Sequence, residues 1–341
     1  MRIAIAVSLI VLAACRGSDD ARRTTEFGGP TMGTTWSVKV VIGPGAPSGE
    51  ERTAIDGAIR DLLARVNALM STWDPESELS RFNRSDSLEP FPVAPETFEV
   101  FRWAVELAAE TDGALDVTLA PLVDAWGFGP TGSAITPPDE EMLAQLRDAT
   151  GVRHLELDPG GRWVRKRRPR VRCDFSALAP GYAADRIVAL LAERGITDFL
   201  IDVGGELVAR GHNETSSPWQ VAIERPQAEG RAVARLVPLV DAAIATSGDY
   251  RNYREANGER LTHILDPATG RPIRHALASV TVIDALGVRA DALATGLMVL
   301  GPEKGMALAE RLDLPAVFIV RVPDGGFVQR TSPSFDALMR N

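Results

Sequence analysis

The chain has 341 residues, 45% hydrophobic and 24% charged, with a formal net charge of -9, enough length and apolar content for a well-buried core in one large domain or two modest ones. The acidic balance argues against a general nucleic-acid binder, which carries a basic surface to meet phosphates. With only two cysteines, Cys15 and Cys173, there is no disulfide framework and no cysteine-based metal site.

The N-terminus reads as a targeting segment: Arg2, an apolar run from Ile3 to Val11, then Leu12-Ala13-Ala14-Cys15. The run is too short for a permanent span. Leu-Ala-Ala-Cys resembles the lipobox of bacterial lipoproteins, which implies a signal peptide over 1–14, lipid on Cys15, a polar tether over 15–29 and a mature domain over 30–341. The expected address is the cell envelope, lipid-anchored and facing the periplasm. Cys173, within the extended run Val171 to Phe175, reads as a buried structural thiol.

Alternation from Thr34 to Ile42 predicts a strand, and Ile55, Ile59, Leu62, Leu63, Val66 and Leu69 at helical spacing predict a helix over 50–70. Ser71 to Asn83 reads as a polar loop. A second helix follows over 95–111, then an apolar segment, 113–127, carrying Asp116. Gly127 to Gly132 matches a dinucleotide-fold glycine pattern only formally, because Pro130, Pro137 and Pro138 make it a loop outside any β-α-β unit. Asp139 to Ala149 predicts a short helix. Val152 to Leu157 and Arg162 to Asp174 predict a hairpin whose basic run, Arg165 to Arg168, reads as the solvated face of an edge strand; contact with anionic lipid is the alternative. A helix over 178–194 and short strands at 199–203, 206–210, 219–224, 232–239, 242–246 and 279–283 follow. The chain ends with helices from Arg289 and over 303–312, and strands at 316–320 and 327–329. Helices and hairpin-linked strands without regular alternation give the class α+β, with largely antiparallel sheets.

On a helix, Asp291 and Thr295 project from one face, one turn apart. They form an oxygen corner suited to a hard cation such as Mg²⁺. Taken alone, the pair is equally readable as structure: Asp near a helix N-terminus suits the macrodipole and Thr can bond back to a carbonyl. Three other stretches are more polar than their setting requires. Asp174 to Tyr182 precedes a helix, Ala245 to Tyr250 ends a strand, and Leu261 to Gly270 puts His263, one of four histidines, beside a turn.

In chain order, Thr31-Met32-Gly33-Thr34, Ser71 to Pro75, Gly113 to Trp126, Asp174 to Asp185, Asp202-Val203-Gly204-Gly205-Glu206, Ala245 to Tyr253, Thr262 to Gly270 and Ala290 to Thr295 resemble the hallmarks of the FAD:protein FMN transferase (ApbE) family. The resemblance spans nearly all of the mature chain. It implies an ApbE-like mixed fold and an Mg²⁺-dependent enzyme that cleaves FAD, attaches FMN through a phosphoester to a Thr of an acceptor protein, and releases AMP. Two alternatives are a FAD pyrophosphatase releasing FMN and AMP, and a flavin-binding lipoprotein without turnover. By resemblance, the Ala177 carbonyl, Asp291 and Thr295 hold the metal, while Met32, Trp73, Ala114, Leu115, Asp116, Asp174 and Ile264 line the FAD site. Trp73 offers a face on which a ring can stack. His263 is the expected general base or acceptor-orienting group, having a suitable unperturbed pKa; a structural bond to the following turn is the alternative. Asp291 is expected to be essential. Pro180 departs from the family's usual Lys or Glu at a position expected to meet FAD, and brings neither charge nor an N–H donor. His154, His212 and His275 carry no expected role.

Overall fold

The period-2 alternation from Thr34 folds as read: β2 (Thr34–Ile42) buries Trp36, Val38 and Val40. Its partner is β1 (Arg23–Thr31), joined through a two-residue turn in which Met32 and Gly33 have φ of 48° and 73°, the conformation that matches strand twist. The computed structural model describes residues 22–43, 48–130, 137–227, 232–250, 253–256 and 259–340, so the signal peptide 1–14 and Cys15 lie outside the described residues. The tether expected over 15–29 is corrected at its C-terminal end. Arg23 onward pairs with β2, because Thr25 and Phe27 alternate into the core.

Strands β3 (Phe199–Val203), β4 (Glu206–Arg210), β5 (Ala242–Gly248), β6 (Leu277–Asp284), β7 (Ala316–Arg321) and β8 (Phe327–Thr331) complete an eight-stranded sheet. Every neighbouring pair is antiparallel, and spatial order equals chain order. Apart from α8, which follows the last strand, the other elements are therefore insertions between adjacent strands. Between β2 and β3 come α1 (Gly49–Met70), α2 (Glu78–Arg84), α3 (Pro95–Glu110), α4 (Ala120–Ala125), α5 (Glu140–Asp148) and α6 (Ala179–Ala192). Helix α7 (Gly287–Arg311) follows β6, and α8 (Pro333–Leu338) follows β8.

Alternation sends successive side chains to opposite faces. Val38, Val40, Ile201, Val280 and Val282 meet Ile59, Leu63, Ala183, Ile187 and Leu293 of the helices. Ile244, Ile283, Val317 and Ile319 meet Phe335 and the hairpin formed by Trp219–Glu224 and Val233–Leu239. The class is α+β, with α1, α6 and α7 on one face of the sheet and the hairpin with α8 on the other.

Two local expectations are corrected, and a third is met with an added kink. Within the predicted loop 71–83, α2 forms because the Ser77 side chain accepts from Ser80 N, leaving that donor satisfied at the helix start. The basic run does not lie on an edge strand. Trp163–Lys166 is the middle strand of a three-stranded sheet, where Arg165 pairs with Glu156 and Lys166 is 2% exposed. The Lys166 ammonium donates to Ser85 O at 2.6 Å and lies 4.6 Å from the Phe82 ring centre. The two predicted C-terminal helices both form, as the two halves of α7 separated by a kink at Gly301, whose φ is 78°. Pro302 has no N–H to offer the carbonyl of Met298. His275 replaces it, its Nε2–H donating to Met298 O at 2.8 Å, so that histidine has a structural role the sequence did not signal.

Cys173 is fully buried, as expected, and burial pushes its thiol pKa up. The Asn83 amide bonds both its N–H and its C=O, at 2.7 and 2.8 Å. That clamp ties the end of α2 to the strand leading into the Asp174 loop.

Candidate active site

Helices α6 and α7 approach so closely at their N-terminal ends that two glycines are required. A Cβ on Gly181 would stand 2.3 Å from Gly287 O, and one on Gly287 2.6 Å from Gly181 O. Asp185, one turn into α6, caps α7: its two carboxylate oxygens accept from Gly287 N and Val288 N at 2.7 and 2.9 Å. Arg289 fixes α7 from outside through both Glu110 oxygens and Asp284.

At this crossing Gly181 N donates to Asp291 Oδ2 at 3.2 Å. Gly181 is the third residue of α6, where a backbone N–H has no acceptor within the helix, and Asp291 supplies one. No backbone donor among the described residues takes the Ala177 carbonyl. Thr295 stands one turn after Asp291, its Oγ1 3.0 Å from Ser247 Oγ at the end of β5. The crossing thus brings the Asp291 carboxylate to the start of α6, with the Thr295 hydroxyl one turn further along α7 beside Ser247.

The corner is electrostatically negative. Asp291 is 6% exposed; burial, with the Asp185 charge adding to it, pushes its pKa up to about 7 against the opposing Gly181 bond. Burial and the facing Asp291 charge raise Glu206, at the start of β4, well above the usual carboxylate range. Burial likewise raises Asp185 despite its two N–H bonds. Among the described residues no three His, Cys, Asp or Glu side chains are grouped to hold a metal. A cation here would rest on one carboxylate, a hydroxyl and a carbonyl, with water or phosphate completing its shell. Such all-oxygen, incomplete sets suit Mg²⁺, and a cation beside buried Asp291 would favour its charged form against the burial that raises its pKa.

The Phe175–Pro180 segment that carries Ala177 also walls a cleft of about 690 Å³, completed by the Met32-Gly33 turn, the last turn of α1 and Ser71 to Asp74. That size suits a nucleotide-scale ligand. Met32, Trp73 and Pro180 line it; Trp73 stands at its rim, 68% exposed. The Ser71 hydroxyl accepts from Trp73 N and Asp74 N, both at 3.1 Å, while the Ser77 and Ser80 hydroxyls donate to Ser71 O. Helix α2 therefore holds the Trp73 loop in place.

The other expected contacts lie outside the cleft lining. Ala114 and Leu115 are buried, so their side chains face protein. Asp116 accepts from the N–H and hydroxyl of Thr118, and burial raises its pKa. This segment joins the loop through Asp174 N, which donates to Val117 O at 2.7 Å. Asp174 accepts from Ser176 N at 2.8 Å, and its charge adds to burial in raising nearby Asp124, which Arg172 opposes. Ile264 is buried. His263 is half-buried, its ring 6.4 Å from that of Phe128. Trp126 Nε1 donates to Gly270 O at 2.8 Å, and Leu261 and Leu265 pack with Leu122, Trp126 and Leu143. Those contacts seat the His263 segment on α4 and α5.

Sequence reasoning assigned no role to Gly181, Asp185, Glu206 or Ser247. Each lay inside a motif already singled out; what was missing was the crossing that turns them toward Asp291.

The family model described as ApbE family matches residues 32–318. A FAD:protein FMN transferase of Vibrio cholerae is 44% identical over 329 residues, 96% of either chain. The Escherichia coli K12 protein of the same description is 37% identical, covering 99% of this chain and 97% of its own. Of solved structures, the flavin transferase ApbE from Vibrio cholerae superposes with a TM-score of 0.83 at 40% identity, covering 93% of this chain and 99% of its own. The apo flavinyl transferase ApbE of Pseudomonas stutzeri gives 0.85 at 39% identity, covering 93% and 97%.

Proposed function

The chain belongs to the ApbE family, and from that premise we propose that it is an Mg²⁺-dependent FAD:protein FMN transferase that modifies a Thr of an acceptor protein and releases AMP. The observation that carries the metal-dependent reading is the buried Asp291 carboxylate held at the α6–α7 crossing, with the Ala177 carbonyl just before α6 taken by no backbone donor among the described residues. Asp291, Thr295 and Ala177 O would hold the cation. Bound Mg²⁺ would supply neutralisation of the pyrophosphate oxygens, the main requirement of phosphoryl transfer.

The chain's own groups do the rest. Trp73 and Met32 pack against a ring of FAD in the cleft, and the apolar face of Pro180 replaces a charged contact there. The acceptor Thr oxygen attacks the phosphorus of the FMN half as the bond to the AMP oxygen breaks. A new phosphoester forms and AMP departs carrying the electron pair. His263 takes the proton from the Thr hydroxyl, a role suited to imidazole near neutrality.

The same reading makes the protein an envelope lipoprotein, cleaved before Cys15, lipidated there and facing the periplasm. Only residues 16–22 separate Cys15 from β1, at most about 25 Å of extended chain, so the domain would work close to the membrane surface.

The test mixes the protein with FAD, Mg²⁺ and a flavoprotein domain bearing an exposed Thr. In-gel flavin fluorescence with equimolar AMP supports transfer. AMP without labelled protein makes it a pyrophosphatase, and neither product from several acceptors makes it a binder.

A further inference from the structure

The cleft is walled mainly by apolar groups, and five polar side chains reach it: Asn67, Ser71, Thr72, Asp74 and Ser176. Three are committed within the protein. Ser71 Oγ accepts from two backbone N–H groups, Asp74 Oδ1 accepts from Glu76 N at 2.9 Å, and Ser176 binds Asp174. The Asn67 and Thr72 side chains bond to nothing among the described residues. Thr72 sits on the loop. Asn67 sits in the last turn of α1, whose geometry is set by Ser71 N donating to Asn67 O at 3.1 Å and by buried Val66 and Met70 on either side.

A carboxamide presents a donor and an acceptor side by side at fixed spacing. Its complement is a planar heterocycle whose edge alternates the same way. Both ends of FAD have such an edge: the flavin N3–H stands between two carbonyls, and the adenine amino group stands beside ring nitrogens, an edge Asn reads bidentately elsewhere. Resting on the transferase reading above, we infer that Asn67 hydrogen-bonds the edge of the ring seated in this cleft and so sets which heterocycle enters it. A ring lacking that edge would leave the amide desolvated and unpaired, a discrimination on the order of tenfold. Trp73 and Met32 supply area to any flat ring, and Asn67 supplies the choice.

The experiment measures equilibrium binding of FAD, FMN and AMP, each with Mg²⁺, to the full chain and to Asn67→Leu and Asn67→Asp, with circular dichroism confirming the fold. The expected result is FAD binding by the wild type and a roughly tenfold weaker Kd in Asn67→Leu for one mononucleotide only. Loss confined to FMN places the flavin in the cleft; loss confined to AMP places the adenine. Wild-type affinity for both mononucleotides in Asn67→Leu overturns the inference alone, as does an equal loss for both in the two variants. Failure of the wild type to bind FAD overturns the transferase reading and this inference with it.

Discussion

Gly181 N lies 3.2 Å from Asp291 Oδ2, and this bond couples the start of α6 to the first turn of α7. It holds a buried carboxylate, satisfies an N-terminal donor of α6, and needs a backbone approach that only glycine permits. A Cβ at position 181 would press on the carbonyl of Gly287 at 2.3 Å. Gly181→Ala should therefore push the helices apart and disperse the oxygen corner. Overpacking of this kind costs about 1–3 kcal/mol. The expected outcome is a lowered Tm, together with a loss of the Mg²⁺-induced rise in Tm.

The Lys166 ammonium gives a pH signature. Burial pulls its pKa down to about 8, against about 10.4 in an unfolded chain. Between those values the unfolded state binds more protons, so this group makes stability rise as pH climbs through the window. Cys173, raised by burial, pulls the other way. The clean readout is therefore the urea-midpoint difference between wild type and Lys166→Met. It should shift in favour of the wild type from pH 8 to pH 10, and a constant difference would remove Lys166 as its cause.

His263→Ala should leave FAD affinity near the wild-type value while slowing single-turnover transfer. General-base removal typically costs about 10²–10⁴ in rate. A titration of FAD fluorescence and a quenched-flow measurement of AMP separate the two effects. Equal single-turnover rates in the two proteins would assign His263 to the turn it precedes.

Gly301→Ala should destabilise without touching the cleft. Its φ of 78° is strained for any side chain, and a Cβ would meet His275 Cδ2 at 2.8 Å. A cost of about 1–3 kcal/mol is expected, read as a lower urea midpoint with FAD affinity unchanged.

Much of this architecture was legible in the sequence, because β2, β3 and the strand Trp219–Glu224 follow period-2 alternation and α1 and α3 follow helical spacing. The exceptions have physical reasons. β1 carries only two fully buried residues, Thr25 and Phe27, so its alternation is faint beside a polar leader. α2 is short and marked by a serine cap rather than by an apolar stripe. Lys166 looked solvated because a basic run does not show that one member points inward. At the site, i,i+4 spacing put Asp291 and Thr295 on one face of a helix, but it took the family resemblance to prefer a metal corner over a structural pair. The Ala177 carbonyl came from family resemblance, since a carbonyl's availability depends on the folded backbone around it. Glu206 and Asp185 became part of the corner only once the sheet and the α6–α7 crossing brought them to Asp291.

The most direct test of the account is Mg²⁺-dependent AMP release from FAD by wild type and Asp291→Asn in the presence of a Thr-bearing acceptor. Asn keeps the size and can still accept from Gly181 N–H, yet removes the charge a cation needs. The account predicts stoichiometric AMP and covalently labelled acceptor for the wild type, and neither for Asp291→Asn at any Mg²⁺ concentration. Wild-type rates and Mg²⁺ dependence in that variant would contradict it.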